Sequence, residues 1–136
     1  MRSRRFRLLF TAILLAVAAG WKAWLLRMDA VPFNGDEAIV GLMARHILLQ
    51  GERPAFFYGQ AYMGSLDAYL VAAGFAIFGI QIWVIRLVQV LLYLTVLATT
   101  IILCQNLFDS WEAGMIAAAL LAIPPVNMTL YTTASL

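Results

Sequence analysis

The chain alternates long apolar runs with short polar joints, and the spacing of the joints predicts a bundle of membrane helices. The first run extends from Leu8 to Leu26, interrupted only by Lys22. Further runs cover about 66–80, 82–104 and 113–134, the last meeting Pro124-Pro125, where a kink or break is expected. The second run is short for a bilayer, so it is predicted to tilt inside the bundle or to thin the lipid locally. Ser65 is placed to cap it, Asp67 sits in its first turn and could line a cavity or merely cap, and Gly79 closes it. The expected fold is therefore all-α, a polytopic bundle of about four spans occupying residues 1–136 as one domain.

Between the first two runs, residues 27–65 are too polar to span. Asn34-Gly35-Asp36-Glu37 has the form of a capping box, with Asn34 as N-cap and Glu37 three residues later. Ile39, Met43, Ile47 and Gln50 recur at helical spacing, while Glu37, Gly41 and Arg45 share another face. Gly51 is the expected stop. Such a helix, roughly fifteen residues and about 23 Å long, suits a juxtamembrane position along the lipid surface. Phe56 to Gly64 is rich in aromatics and glycine and is predicted to be a loop at the interface.

Charge sets the orientation. Residues 1–7 hold four arginines and no acid, which places the N-terminus in the cytoplasm and the 27–65 segment outside the cell membrane. Ala16-Val17-Ala18 resembles a signal-peptide cleavage site, but the apolar run continues past it to Trp21 and Trp24, so an uncleaved first span is expected. Arg86 then reads as a topology anchor near the cytoplasmic end of the third span. The joint from Gln105 to Glu112, with acids and no base, reads as an outside loop.

Composition agrees. With 64% hydrophobic and 12% charged residues and a mean hydropathy of +0.89, a soluble globular domain is nearly excluded. A net charge of +2 gives no footprint for nucleic acid. The single cysteine, Cys104, supports neither a disulfide nor a metal cluster and reads as a packing residue. No cofactor motif is present, His46 lacks companions at metal-ligand spacing, and nothing supports a divalent metal. Asn127-Met128-Thr129 matches a glycosylation sequon inside an apolar run and reads as chance.

The candidate chemistry is the pair Asp36 and Glu37. At the second and third positions of a helix, the backbone N–H groups and the helix dipole favour ionised carboxylates. Such a carboxylate can accept a proton or help bind a cation, and it can equally be a cap facing water. Arg45, two turns after Glu37, can face a phosphate or a lipid head group.

The order of short motifs resembles the N-terminal part of the GT-C membrane glycosyltransferases, in the family of dolichyl-phosphate-mannose protein mannosyltransferases and the aminoarabinose transferase of lipid A. The residues that carry the resemblance are Gly35-Asp36-Glu37-Ala38, Ala44-Arg45-His46-Ile47-Leu48 ahead of Gly51, and Tyr58-Gly59-Gln60-Ala61-Tyr62-Met63-Gly64-Ser65-Leu66. Phe78-Gly79, Trp83-Val84-Ile85-Arg86-Leu87, Leu107-Phe108 and Ala113-Gly114 through Pro124 continue it. The resemblance implies transfer of a sugar from a polyprenyl-phosphate donor to a glycan, lipid or protein acceptor outside the membrane. It implies Asp36 as general base, Glu37 as organiser of the loop or acceptor, and Arg45, Tyr58 and Tyr62 as substrate-binding residues. Members of that family are several times longer. The chain, ending at Leu136 without a basic anchor, is therefore expected to be a piece of a longer protein and inactive alone. The competing expectation is a small non-enzymatic membrane protein, a transporter or assembly subunit.

Overall fold

The computed structural model describes residues 4–28 and 32–123. Five helices and one small hairpin make up the described residues, in the order α1 (Arg4–Arg27), α2 (Gly35–Gln50), β1 (Phe56–Phe57), β2 (Gln60–Gly64), α3 (Leu66–Phe78), α4 (Ile82–Phe108) and α5 (Trp111–Ala122). Two helices, α1 and α4, are long and apolar enough to cross a membrane. At 24 and 27 residues they reach about 36 and 40 Å, against roughly 30 Å of bilayer hydrocarbon.

Four crossings were expected, and the structure has two helices of crossing length among the described residues. α3 has 13 residues, about 20 Å, which falls short of a bilayer. α5 starts at the Ser110 cap, whose hydroxyl accepts from the Ala113 N–H at 3.1 Å. The rest of the fourth predicted run, with Pro124-Pro125 and the Asn127 sequon, lies outside the described residues.

The chain forms two compact units, with α4 passing through both. The first holds α1, α4 from Leu91 onward and α5. Its core is Ala18, Tyr93, Leu97, Ile101, Trp111 and Ala118. Arg7 Nη1 donates to Gln105 Oε1 at 3.2 Å, and Trp111 Nε1 donates to the Thr11 hydroxyl at 3.2 Å. The start of α1 therefore lies beside the end of α4 and the start of α5, and α1 and α4 run in opposite directions. This corrects the predicted placement of the 105–112 joint, which sits at the same end as the basic N-terminal segment rather than across a bilayer from it. Gly114 permits the close crossing of α5 over α4, because a Cβ there would stand 2.9 Å from the backbone of Ile101.

The second unit holds α2, the hairpin, α3 and the first turns of α4. α2 has the predicted ends. The Asn34 side chain accepts from the Glu37 N–H at 2.9 Å, the Asn34 N–H donates to Glu37 Oε2, and Gly51 closes the helix in the left-handed conformation. Its packed face differs from the predicted stripe of Ile39, Met43 and Ile47: the buried residues are Glu37, Val40, Met43 and Ala44. Small residues explain the choice, since at Gly41 an added Cβ would meet Ile85 Cδ1 at 2.9 Å, and on α3 one at Gly74 would meet Val84 Cγ1 at 2.8 Å. The predicted 56–64 loop is instead an antiparallel hairpin, with Phe57 opposite Gln60 across a Tyr58-Gly59 turn. Ser65 stands at the N-cap of α3 without capping it through its side chain, and its hydroxyl donates to the Pro54 carbonyl instead. Gly79, at φ +83°, makes the sharp turn from α3 into α4.

Candidate functional site

The capping box fixes the first turn of α2, and with it the two acids take different environments. Glu37 is fully buried. Its carboxylate receives Arg86 Nε at 3.1 Å on one oxygen and Arg86 Nη2 at 3.3 Å on the other, a two-pronged ion pair from the second turn of α4. The Arg86 side chain is itself only 11% exposed. Where a cytoplasmic topology anchor was predicted, Arg86 instead ties α4 to α2 across 49 residues of sequence.

Asp36 is half-buried and makes no side-chain hydrogen bond or ion pair among the described residues. It stands at the positive end of a 16-residue helix, where an ionised carboxylate is favoured. A free carboxylate beside a locked one is a geometry suited to proton acceptance at Asp36 and to holding the turn at Glu37.

The remaining predicted site residues are not gathered around Asp36. Arg45 stands nine residues on, about 14 Å along the axis and half a turn around, so the two side chains leave α2 on opposite faces. Arg45 and Asp36 therefore do not converge on one point of the helix. Arg45 instead borders an open cleft of about 330 Å³ whose walls include Phe33, Phe75, Ile80 and Ile85. Ala38 and Gly41 near the start of α2 share this cleft with Phe75 at the end of α3, and Ser65 at the start of α3 bonds to Pro54 just past the end of α2, so the two helices run antiparallel.

Tyr58 lies at the other end of α2. Its hydroxyl donates to Glu52 and lies 3.1 Å from His46 Nδ1, while its N–H donates to Met43 Sδ at 3.4 Å. The bond to Glu52 raises the Tyr58 phenol above its ordinary pKa. These contacts join the hairpin to α2, a joining role that the sequence did not suggest for Tyr58 or His46. Tyr62, on β2, is 82% exposed. Asp67 accepts from the Ala68 N–H at 2.8 Å, a local turn contact at the start of α3. No group of three or more His, Cys, Asp or Glu side chains could hold a metal among the described residues.

Comparisons with known protein families, with curated proteins and with solved structures find no match to this chain.

Proposed function

We propose that the chain is the N-terminal part of an integral-membrane glycosyltransferase that moves a sugar from a polyprenyl-phosphate donor to an acceptor outside the membrane. The observation behind this reading is the division of labour in the first turn of α2. Asp36 is an unpaired carboxylate among the described residues, while Glu37 is consumed by Arg86 and by the Asn34 cap. Motif order along the chain, Gly35-Asp36-Glu37-Ala38 above all, supplies the glycosyltransferase class.

In this reading α1 and α4 are the membrane crossings, and they run in opposite directions. The arginines of residues 1–7 hold the start of α1 in the cytoplasm of a cell-membrane protein. Everything between the two crossings, α2, the hairpin and α3, then belongs outside, with α2 and α3 as juxtamembrane helices. α3 turns back along α2 instead of crossing, as its length requires.

Asp36 takes the proton from an acceptor hydroxyl. The acceptor oxygen bonds to the anomeric carbon as that carbon's bond to the lipid phosphate oxygen breaks, with inversion, and the phosphate leaves on its prenyl chain. Glu37 is a positioning residue: it holds the turn through Arg86 and does not touch the reacting atoms. A second reading, a non-enzymatic subunit whose acids only organise helix ends, is favoured by the complete occupation of Glu37.

Asp36→Asn in the full-length protein separates the two. Loss of sugar transfer by about 10²–10⁴, the range for removing a general base, is expected with insertion and expression intact. Unchanged transfer removes the base assignment and leaves the subunit reading. A single cysteine at position 36 is expected to react with an impermeant reagent added outside the cell.

A further inference from the structure

The cleft bordered by Arg45 has a chemical character of its own. Its lining is apolar apart from Gln81 and Arg45, and Arg45 is the one charged side chain in it. Arg45 makes no ion pair among the described residues, and the buried carboxylate of α2, Glu37, is already held by Arg86. Among the described lining residues the cleft therefore carries a single positive charge, that of the exposed Arg45. Its volume of about 330 Å³ is within the range of small-molecule sites.

Its position points to the occupant. Ile80 and Ile82 line the cleft and are 46% and 55% exposed, beside Trp83 at 51%, at the point where α4 begins. α4 is one of the two helices of crossing length, so these exposed apolar side chains stand at the lipid boundary. A tryptophan there fits the interfacial belt. An apolar cleft that opens at the start of a membrane helix, with a cation on its wall, complements an amphiphile with an anionic head.

We propose that this cleft seats one acyl chain of an anionic bilayer phospholipid, with the head-group phosphate paired to Arg45. The site lies on the face of α2 opposite Asp36, so this lipid is a resident ligand and takes no part in sugar transfer. It holds α2, α3 and the start of α4 at the level of the membrane surface. The inference rests on the membrane placement of α4, and it stands or falls separately from the assignment of Asp36.

The test uses the full chain in nanodiscs of phosphatidylcholine with a minor share of phosphatidylglycerol, released into native mass spectrometry to identify retained lipid. Retention enriched in phosphatidylglycerol by about fivefold is expected for one basic residue at an anionic surface. Arg45→Gln is expected to remove the enrichment and Arg45→Lys to keep most of it. Ala38→Phe, which fills the cleft from its wall, is expected to lower retention of the lipid while leaving Arg45 in place. Equal retention of the two lipids, or the same enrichment in Arg45→Gln, overturns the proposal. Displacement of the lipid by soluble glycerol phosphate at millimolar concentration also overturns it, since the site would then read a phosphate and not a chain. Lipid enrichment in Arg45→Gln and Ala38→Phe reads the cleft alone, and sugar transfer by Asp36→Asn reads the base assignment alone, so either can fail without the other.

Discussion

Each of the two units buries a cation, and they accommodate it differently. In the α2–α3 unit, Arg86 meets a carboxylate with two parallel hydrogen bonds. In the α1–α5 unit, Lys22 is fully buried with its ammonium 4.7 Å from the centre of the Tyr93 ring, and the Tyr93 hydroxyl donates to the Leu121 carbonyl at 3.2 Å. The first arrangement is directional and joins elements far apart in sequence. The second is a packing contact that threads α1, α4 and α5 through one aromatic ring. A buried ion pair is strongly destabilising to break on one side but tolerable to replace on both. Cation–π contacts are weaker and fall off gently with geometry. The Glu37–Arg86 pair therefore holds α2 to α4 by charge, while the close approach at Gly114 holds α5 to α4 by shape.

The largest consequence concerns Arg86. Arg86→Met strands the Glu37 carboxylate in a buried site and is expected to cost about 3–5 kcal/mol, measured as a lowered unfolding midpoint of the purified chain in detergent. Glu37→Gln combined with Arg86→Met is expected to recover most of that loss, because the glutamine oxygen can still accept from the Asn34 N–H. If the double variant is as unstable as the single one, the pair does not act as a charge lock.

Shape in the other unit is tested at Gly114. A Cβ there meets the Ile101 backbone, which cannot turn aside, so Gly114→Ala is expected to cost about 1–3 kcal/mol by overpacking. Gly41→Ala meets only the tip of Ile85, a side chain that can rotate, and the expected cost is below about 1 kcal/mol. Thermal unfolding of the two variants side by side measures the difference. Equal costs would mean that the α2–α4 contact is as rigid as the α5–α4 crossing.

The local features of this fold were legible in the sequence and the distant ones were not. Asn34, Glu37 and Gly51 state the ends of α2 within their own few residues, and the structure keeps all three. The apolar runs announced α1 and α4 because length alone decides that question. The role of α3 was not legible, because an apolar run of about fifteen residues is compatible with a tilted crossing and with a helix packed against a neighbour. The antiparallel run of α1 and α4 bears on that choice, and it rests on the contact of Arg7 with Gln105, 98 positions away. Tyr58-Gly59 is a two-residue turn signal, obscured by an aromatic surrounding that suggested an interfacial loop. Arg86 offered one clue: a charge inside an apolar run calls for a partner. The acids that could answer it stood far back in the chain, and only folding could choose between Asp36 and Glu37.

A smaller effect is expected at Tyr93. Tyr93→Phe keeps the ring beneath Lys22 and removes the hydrogen bond to Leu121, for a loss of about 1 kcal/mol. Its unfolding midpoint in detergent is the measurement. A much larger loss would show that the hydroxyl, and not the packing of the ring, holds α5 against α4.

The smallest expected effect sets the charge-fixed unit against pH. The Tyr58 phenol is raised because its proton is given to Glu52, so the folded state favours the protonated phenol more than the unfolded chain does. A group shifted in that direction contributes stability that is complete below the unfolded value, near 10, and is lost as pH rises through the higher folded value. Wild type is therefore expected to lie slightly above Tyr58→Phe in unfolding temperature through the neutral range, and the two should converge as pH is taken above about 10. The His46 contact distinguishes this clasp from an isolated surface bond, because Tyr58→Phe removes a contact of both Glu52 and His46, which then keep only each other at 3.8 Å. Glu52→Gln keeps an acceptor for the phenol but removes the charge. If it retains the neutral-range difference while shifting the convergence to lower pH, hydrogen bonding holds the hairpin to α2 and the carboxylate charge only sets where the bond is lost. If Glu52→Gln abolishes the difference altogether, the hairpin is held by charge, and the ionic character of this unit extends from Arg86 to the far end of α2.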